Sequence, residues 1–461
     1  MSIVGAFIVP HPPIILPEVG RGEEKKILKT YKAYKEVAQN IAALKPETII
    51  LTSPHATNYA DYFHISPGKC ASGDLKKFRV NNVSITTEYD EEFTQTLTLK
   101  ASEEEIPAGT LGERDKSLDH GTLIPLYFIN QAYKNFKLVR IGLSGLTLTE
   151  HYNFGKAINQ IANELGRRVV FVASGDLSHK LMPEGPYGFA KEGPEFDRIV
   201  TEAVKTGDFL PFLSLNQSFC DNAGECGLRS FAIMSGALDG KSVTSKLLSY
   251  EGTFGVGYAV GAFDITGDDE NRHFDKIYKR IEQEKLKEIQ KKEDIYVRLA
   301  RLSLETYIRH GKIMNTPDNL PQDLLDRKAG TFVSLKKHGN LRGCIGTISP
   351  ITDSIANEVM RNAINAGTED PRFSPVTEEE LSELVYSVDI LSEPEPIKSK
   401  EELDVKRYGV IVISGRRRGL LLPNLEGVST PEQQVSIAME KAGIRPGQSY
   451  SLERFEVVRH T

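Results

Sequence analysis

The chain has no tryptophan, only four cysteines among 461 residues, and no excess of positive charge. Cys70, Cys220, Cys226 and Cys344 are scattered and form no CxxC pair. With no secretory signal pattern, that argues against a disulfide framework and for a reducing, cytoplasmic setting. No apolar run reaches membrane-spanning length, so no membrane partner is expected. Lys and Arg number 57 against 63 Asp and Glu, for a net charge of −6. That leaves no global field for nucleic acid; Arg416-Arg417-Arg418 is a local basic patch. No internal repeat relates the two halves. The missing tryptophan carries no functional information.

What is present divides the chain. A sequence of 461 residues is too long for one hydrophobic core. Up to about Gly267, short β-rich runs at 3–9, 48–52, 138–142, 169–173 and 258–263 alternate with helical patterns at 23–44, 91–102, 121–133, 148–165, 194–206 and 226–238. Such alternation predicts an α/β domain over 1–266, with a mostly parallel central sheet flanked by helices on both faces. The polar break Gly267-Asp268-Asp269-Glu270-Asn271-Arg272 and the charged run behind it predict a helical linker over 267–293. The remainder, 294–461, reads as an α+β domain, with an apolar stretch at 296–308 that starts a second core, strands at 330–335 and 385–391, a helix at 351–366 and an Arg-rich hairpin at 409–423. Thr430-Pro431-Glu432-Gln433 is a helix start with a capping box, and Gly443 is its stop.

Four histidines stand where apolar runs break off: His11 in FIVPHPP, His55 in IILTSPHA, His120 in SLDHGTLIPL and His179 in VVFVASGDLSH. Residues just past the C-terminal ends of strands in an open α/β sheet lie at the rim where such sheets bind ligands. Imidazole is the commonest protein metal ligand and the usual proton shuttle near neutral pH. Two histidines and one carboxylate on one face of an ion make the non-haem Fe(II) pattern, which leaves positions open for substrate and dioxygen. His11 and His55 are the natural pair. Glu225, in a Gly-containing turn before a helix, is the first candidate for the carboxylate, and Asp176 the weaker one. Cys226 is a rival ligand, which would also suit zinc or copper. A carboxylate at a helix start also complements the helix dipole, so Glu225 has a structural alternative.

PHPP, SPHA, LDHGTLIPL and SGDLSH, in that order, resemble the class III extradiol dioxygenases of the LigB-like catalytic subunit type, over roughly 1–266. The resemblance implies that two His and one Glu hold Fe(II). A catechol-like aromatic substrate then binds through both oxygens, and its ring opens beside the diol. It implies His11, His55 and Glu225 as metal ligands, with His120 and His179 catalytic, moving protons beside the metal. The related Memo fold has a Cys in place of the carboxylate, so the adjacent Glu225 and Cys226 leave the third ligand open.

In the second half, Asn340-Leu341-Arg342-Gly343-Cys344-Ile345-Gly346-Thr347 sets a guanidinium beside a thiol in a small-residue turn. Arg342 is expected to bind an anion or to lower the pKa of Cys344; the alternative is a buried, inert Cys. GTFVSLKKHGNLRGCIGT, DPRFSPVT, VDILSEPEPI and YGVIVISGRRRGLLLPN resemble the AMMECR family, whose biochemical role is not established. An extradiol-like module joined to this one is similar to the AmmeMemoRadiSam arrangement. That implies a radical SAM protein as partner, by association.

Overall fold

Short, β-branched runs closed by Pro, Ser or Gly build the first unit, Met1–Arg280. The computed structural model describes residues 2–425, 427–445 and 447–461. Strands β1 (Ile3–Val9), β2 (Thr48–Ser53), β3 (Lys137–Gly142) and β4 (Val169–Ser174) are buried almost throughout. They pair in parallel in the order β3-β2-β4-β1. Helices α1 (Leu28–Leu44), α2 (Glu91–Glu103), α3 (His120–Ala132) and α4 (Leu148–Glu164) lie between them in the chain. Further on come α5 (Glu192–Thr206) and α6 (Leu228–Ala237). Apolar stripes on α1 and α3 build one core with Tyr34, Ile41 and Phe128. The stripes of α2, α4, α5 and α6 build another with Phe93, Phe154, Val200 and Ile233.

The sheet is mixed: the expected parallel pairing holds for these four strands, and two antiparallel strands extend it. The strand expected at 258–263 is longer, β6 (Tyr258–Asp268), and runs antiparallel to β1. Beyond it lies β5 (Lys241–Glu251), which completes the order β3-β2-β4-β1-β6-β5. A six-residue connection (252–257) leaves no room for a crossover, so β5 and β6 form a hairpin. The sequence pattern hid β5 because this edge strand is half-exposed and carries no apolar run.

The polar break belongs to the first unit. Arg272 donates to the carbonyls of Lys241 and Gly207, and Phe274 is buried in the core. The charged run is a helix, α7 (Phe274–Lys292), along which the division into units falls. Ion pairs such as Lys285–Glu282 and Lys291–Glu288 line it.

The second unit, Ile281–Thr461, is an antiparallel sheet with helices. Helix α8 (Ile295–His310) is followed by β7 (Thr331–Lys337), β8 (Asn340–Gly346), α9 (Ile355–Thr368) and β9 (Leu384–Leu391). Then come β10 (Glu395–Ile397), β11 (Tyr408–Ser414), β12 (Arg417–Leu421), α10 (Pro431–Lys441) and β13 (Ser451–His460). The order is β8-β7-β9-β13-β11-β12, with β10 also on β13. Helices α8 and α9 share a core with Val333, Leu335 and Val388. The expected capping box at Thr430 and Gln433 is present. The small-residue run 340–346 is strand β8 rather than a turn; the turn is at His338 and Gly339, both with positive φ.

One close approach sets the first unit's edge. A Cβ on Gly175, just after β4, would sit 2.2 Å from the Cα of Gly227, just before α6. Only glycine lets these two backbones touch, and that contact brings Asp176 against Cys226. Gly175→Ala is expected to cost about 1–3 kcal/mol through overpacking. Gly267→Ala, where a Cβ meets nothing within 4 Å, should stay within about 0.5 kcal/mol. Urea midpoints measure both, and equal midpoints would refute the contact's importance.

Candidate metal centre

Parallel strands leave the sheet at one edge, and three of the four histidines follow directly. His11 lies two residues past β1, His55 two past β2 and His179 five past β4. His120 is the first residue of α3. The structure brings His11, His55, Cys226, Asp176, His179 and His120 to this edge.

The nitrogens His11 Nε2 and His55 Nε2 stand 3.1 Å apart, and Cys226 Sγ is 3.7 Å from His11 Nε2. The tautomer of His11 follows from its neighbours. Ser174 Oγ donates its single proton to the Gly121 carbonyl at 2.6 Å, so it accepts from His11 Nδ1–H at 2.9 Å. The Nε2 lone pair of His11 therefore faces His55 and Cys226, as a metal ligand requires. Burial, with His55 beside it, pushes His11 down to about 3, so the ring is neutral at physiological pH. Burial likewise lowers His55 and, with His55 and His11 nearby, takes His120 down to about 3. The His120 ring stacks on His55 with centroids 4.1 Å apart. Burial pushes the Cys226 thiol well above its ordinary value.

Around these sit groups that hold them. Asp119 caps α3 and accepts from Ser53 Oγ at 2.6 Å and Thr122 Oγ1 at 2.8 Å. The buried Arg140 pairs with Asp119 at 3.2 Å. Burial raises Asp119, but Arg140 and the two hydroxyls outweigh it and hold the carboxyl below the usual range. Ser53 Oγ also accepts from the His55 N–H at 3.2 Å. Asp176 accepts the His11 N–H at 2.8 Å, and burial takes its carboxyl up to about 6. His179 Nε2 is buried without a hydrogen-bond partner among the described residues, and its ring lies 5.1 Å from that of Tyr187.

Glu225 is placed differently. Its carboxylate accepts the Leu228 N–H at 2.7 Å, at the first turn of α6. Among the described residues, the donors that come within 4.8 Å of one another at this edge are His11, His55 and Cys226, and also Asp176, His179 and Cys226. Glu225 is in neither set, because its carboxylate is turned to the Leu228 N–H at the start of α6. It does line, with Cys226, Tyr59, Ser144 and Arg229, a cavity of about 330 Å³ beside the cluster. A larger open depression of about 1420 Å³ near Tyr133 and Arg167 contains none of these groups.

Ser174, Asp119 and Arg140 were not singled out from the sequence. Asp119 was legible as a cap, since Asp followed three residues later by Thr before an apolar run is a helix start. Ser174 and Arg140 were not, because a strand's sequence gives no sign of which of its side chains meets which loop.

In the second unit, Arg342 does not face a free anion site. Its Nε and Nη2 donate to Glu380 at 2.9 and 2.8 Å, and Nη1 donates to the Ser374 carbonyl. Glu380 and the 374–375 carbonyls take the guanidinium at the sheet edge. Cys344 Sγ accepts from Ser334 Oγ at 3.2 Å, and its N–H donates to Asp370 at 2.8 Å. Arg372, bound to Asp370, donates to the Cys344 carbonyl.

Two outcomes follow. Arg342→Ala should lower stability by about 1 kcal/mol, by removing two charge-assisted bonds to Glu380, which keeps Lys337 at 3.3 Å and the Thr377 N–H, without slowing thiol-reagent labelling of Cys344. A tenfold slowing would return Arg342 to the thiol. Asp197 pins the loop before His179 by accepting the Ser178 N–H at 2.8 Å and the Tyr250 hydroxyl at 2.7 Å. Burial still pushes it up to about 7 from 3.8. The folded chain thus keeps a proton that the unfolded chain has lost. Its contribution is full below about pH 3.8, falls as pH rises and is gone above about pH 7. Asp197→Asn should flatten the urea midpoint across that window, and an unchanged slope would count against it.

Comparison with known proteins agrees with this two-part architecture. Residues 5–261 match the family model "Catalytic LigB subunit of aromatic ring-opening dioxygenase". Residues 297–460 match the model "AMMECR1". Protein CA_C1420 of Clostridium acetobutylicum is 46% identical over 468 residues, covering 100% of this chain and 99% of its own. A Thermotoga maritima protein is 50% identical over 167 residues, 36% of this chain and 96% of its own. Among solved structures, uncharacterized protein PH0010 from Pyrococcus horikoshii shares 33% identity, covers 36% of this chain and 88% of its own, and has a TM-score of 0.34. Uncharacterized protein JW3007 from Escherichia coli K12 shares 15%, covers 56% and 99%, and has a TM-score of 0.39. The chain belongs to the family of the catalytic LigB subunit of aromatic ring-opening dioxygenases, with an AMMECR1 domain joined behind it.

Proposed function

We propose that the first domain is a metal-dependent, dioxygenase-like oxidoreductase acting on a catechol-like substrate, and that His11, His55 and Cys226 hold its metal. One observation carries the reading. Two neutral imidazoles present Nε2 atoms 3.1 Å apart, with a sulfur 3.7 Å from one of them and the proton of His11 fixed on the opposite nitrogen. A proton on His55 Nε2 bridges the two nitrogens in the free protein, and a cation that replaces it finds the Cys226 sulfur beside them, so the donor set fits a divalent ion. Fe(II) is the family's metal; the thiolate also suits Zn or Cu.

A divalent ion bound there supplies a Lewis-acid centre for both oxygens of a diol. The chain's own residues do the rest. His120, kept neutral against His55, accepts a diol proton. The cavity of about 330 Å³ at Cys226 is large enough for a single substituted ring. Asp119 and Ser53 hold the backbone of His55 in place.

Cys226 in place of a carboxylate favours a second reading, a non-catalytic metal-binding adaptor that works with a radical SAM protein. Thiolate changes the electronics of the ion, and the second domain then serves protein contacts. Oxygen uptake separates the readings. Anaerobically purified protein should consume dioxygen with a catechol panel under the first and stay inert with metal in place under the second.

The ligand assignment has its own test. His11→Ala, His55→Ala and Cys226→Ser should each weaken retention of the first metal equivalent by about 10–100-fold or more. Glu225→Gln should retain it. Metal analysis after desalting decides, and loss in Glu225→Gln with retention in Cys226→Ser would reverse the assignment. His120→Ala should keep metal and lose turnover by about 10²–10⁴-fold.

A further inference from the structure

The donors around Cys226 fall into two sets rather than one. A divalent transition ion binds imidazole at about 2.0–2.1 Å and thiolate at about 2.3 Å, so two ligands of one ion stand at most about 4.5 Å apart. Among the described residues, two triads meet a 4.8 Å mutual limit: His11, His55 and Cys226, and Asp176, His179 and Cys226. They share only the Cys226 sulfur. His179 Nε2 is buried and has no hydrogen-bond partner among the described residues, a state that costs free energy unless something occupies it. Asp176 is 8% exposed, and its carboxylate accepts one backbone N–H, from His11. Its remaining lone pairs are available to a cation.

We propose that the first domain holds two divalent transition-metal ions bridged by the Cys226 thiolate, the second ion bound by Asp176 and His179. This rests on the reading of the first triad as a metal site. Binding breaks the Cys226 S–H bond, the proton leaves to solvent, and the sulfur shares lone pairs with both ions. Two divalent ions against one thiolate and one carboxylate leave a net charge of +2. A doubly ionised diol offsets that charge, so the paired site favours a dianionic oxygen ligand over a neutral one. Another donor grouping, Asp239, His273 and Asp275, is internally satisfied. Tyr152 and His273 bond to Asp239, and Lys156 bonds to Asp275.

The test is anaerobic titration of the full-length, metal-stripped chain with Co(II), following the thiolate-to-metal absorption band and the bound metal after gel filtration. The native chain should saturate at two equivalents. Asp176→Asn and His179→Gln should each stop at one and keep the band, while Cys226→Ser should lose it. His273→Ala should still bind two. Saturation of the native chain at one equivalent overturns the second ion and leaves the proposed function standing. So does a single equivalent that Asp176→Asn and His179→Gln both weaken, since one ion then draws on all the donors. Two equivalents in both variants also overturn it, because the second ion then lies elsewhere. No binding at all removes the first triad, and this inference with it. Circular dichroism checks folding, and the His179→Gln result stands alone if Asp176→Asn does not fold.

Discussion

Parallel pairing of β1, β4 and β2 is the constraint on which the first domain's chemistry depends. Strands that run the same way end at the same edge, so the residues that follow them meet in space although 165 positions separate His11 from Asp176. Right-handed crossovers lay helices over both faces and leave that edge uncovered. The buried cores under α1 and α4 hold the strands in register, and the register sets the distances between His11, His55 and the Asp176 loop. Cys226 comes from a different direction. It is delivered by the turn before α6, through the backbone contact of Gly175 with Gly227.

The same edge concentrates polar groups that are costly to bury. His11 is 2% exposed, Asp176 8%, and the unpartnered His179 Nε2 lies beside them. Burial takes His11 down to about 3 and pushes the Cys226 thiol up, while His55 stands exposed at the rim. These are the forms a cation converts on binding, when it takes the imidazole lone pairs and displaces the thiol proton. A chain selected for stability alone would place apolar side chains here. Polar burial of this kind, surrounded by well-packed cores, supports the reading of this edge as a functional site.

The second domain shows the opposite outcome for a conspicuous motif. Arg342 and Cys344 are two residues apart on one strand, and the sequence invites a reading in which one charges the other. Glu380 and the carbonyls near Ser374 take the guanidinium instead. Cys344 is tied through Ser334, Asp370 and Arg372. Proximity along a strand says little about electrostatics when a carboxylate from elsewhere in the fold completes the pair first.

Much was legible in the residues themselves. Period and punctuation marked four of the six strands of the first sheet closely, because buried parallel strands are short β-branched runs with sharp ends. The same punctuation placed His11, His55 and His179 at strand ends and His120 at a helix start. The half-exposed strand Lys241–Glu251 escaped, since an edge strand needs no apolar run, and its hairpin made the sheet mixed. The choice between Glu225 and Cys226 lay beyond sequence altogether. They are neighbours in the chain, but a helix start turns one carboxylate to its own N–H groups and leaves the next side chain facing the histidines. The sequence by itself determined which residue types reach the sheet edge. Only the tertiary structure decided which of their atoms face one another, because that depends on register, on a glycine contact and on hydrogen bonds between segments far apart in the chain.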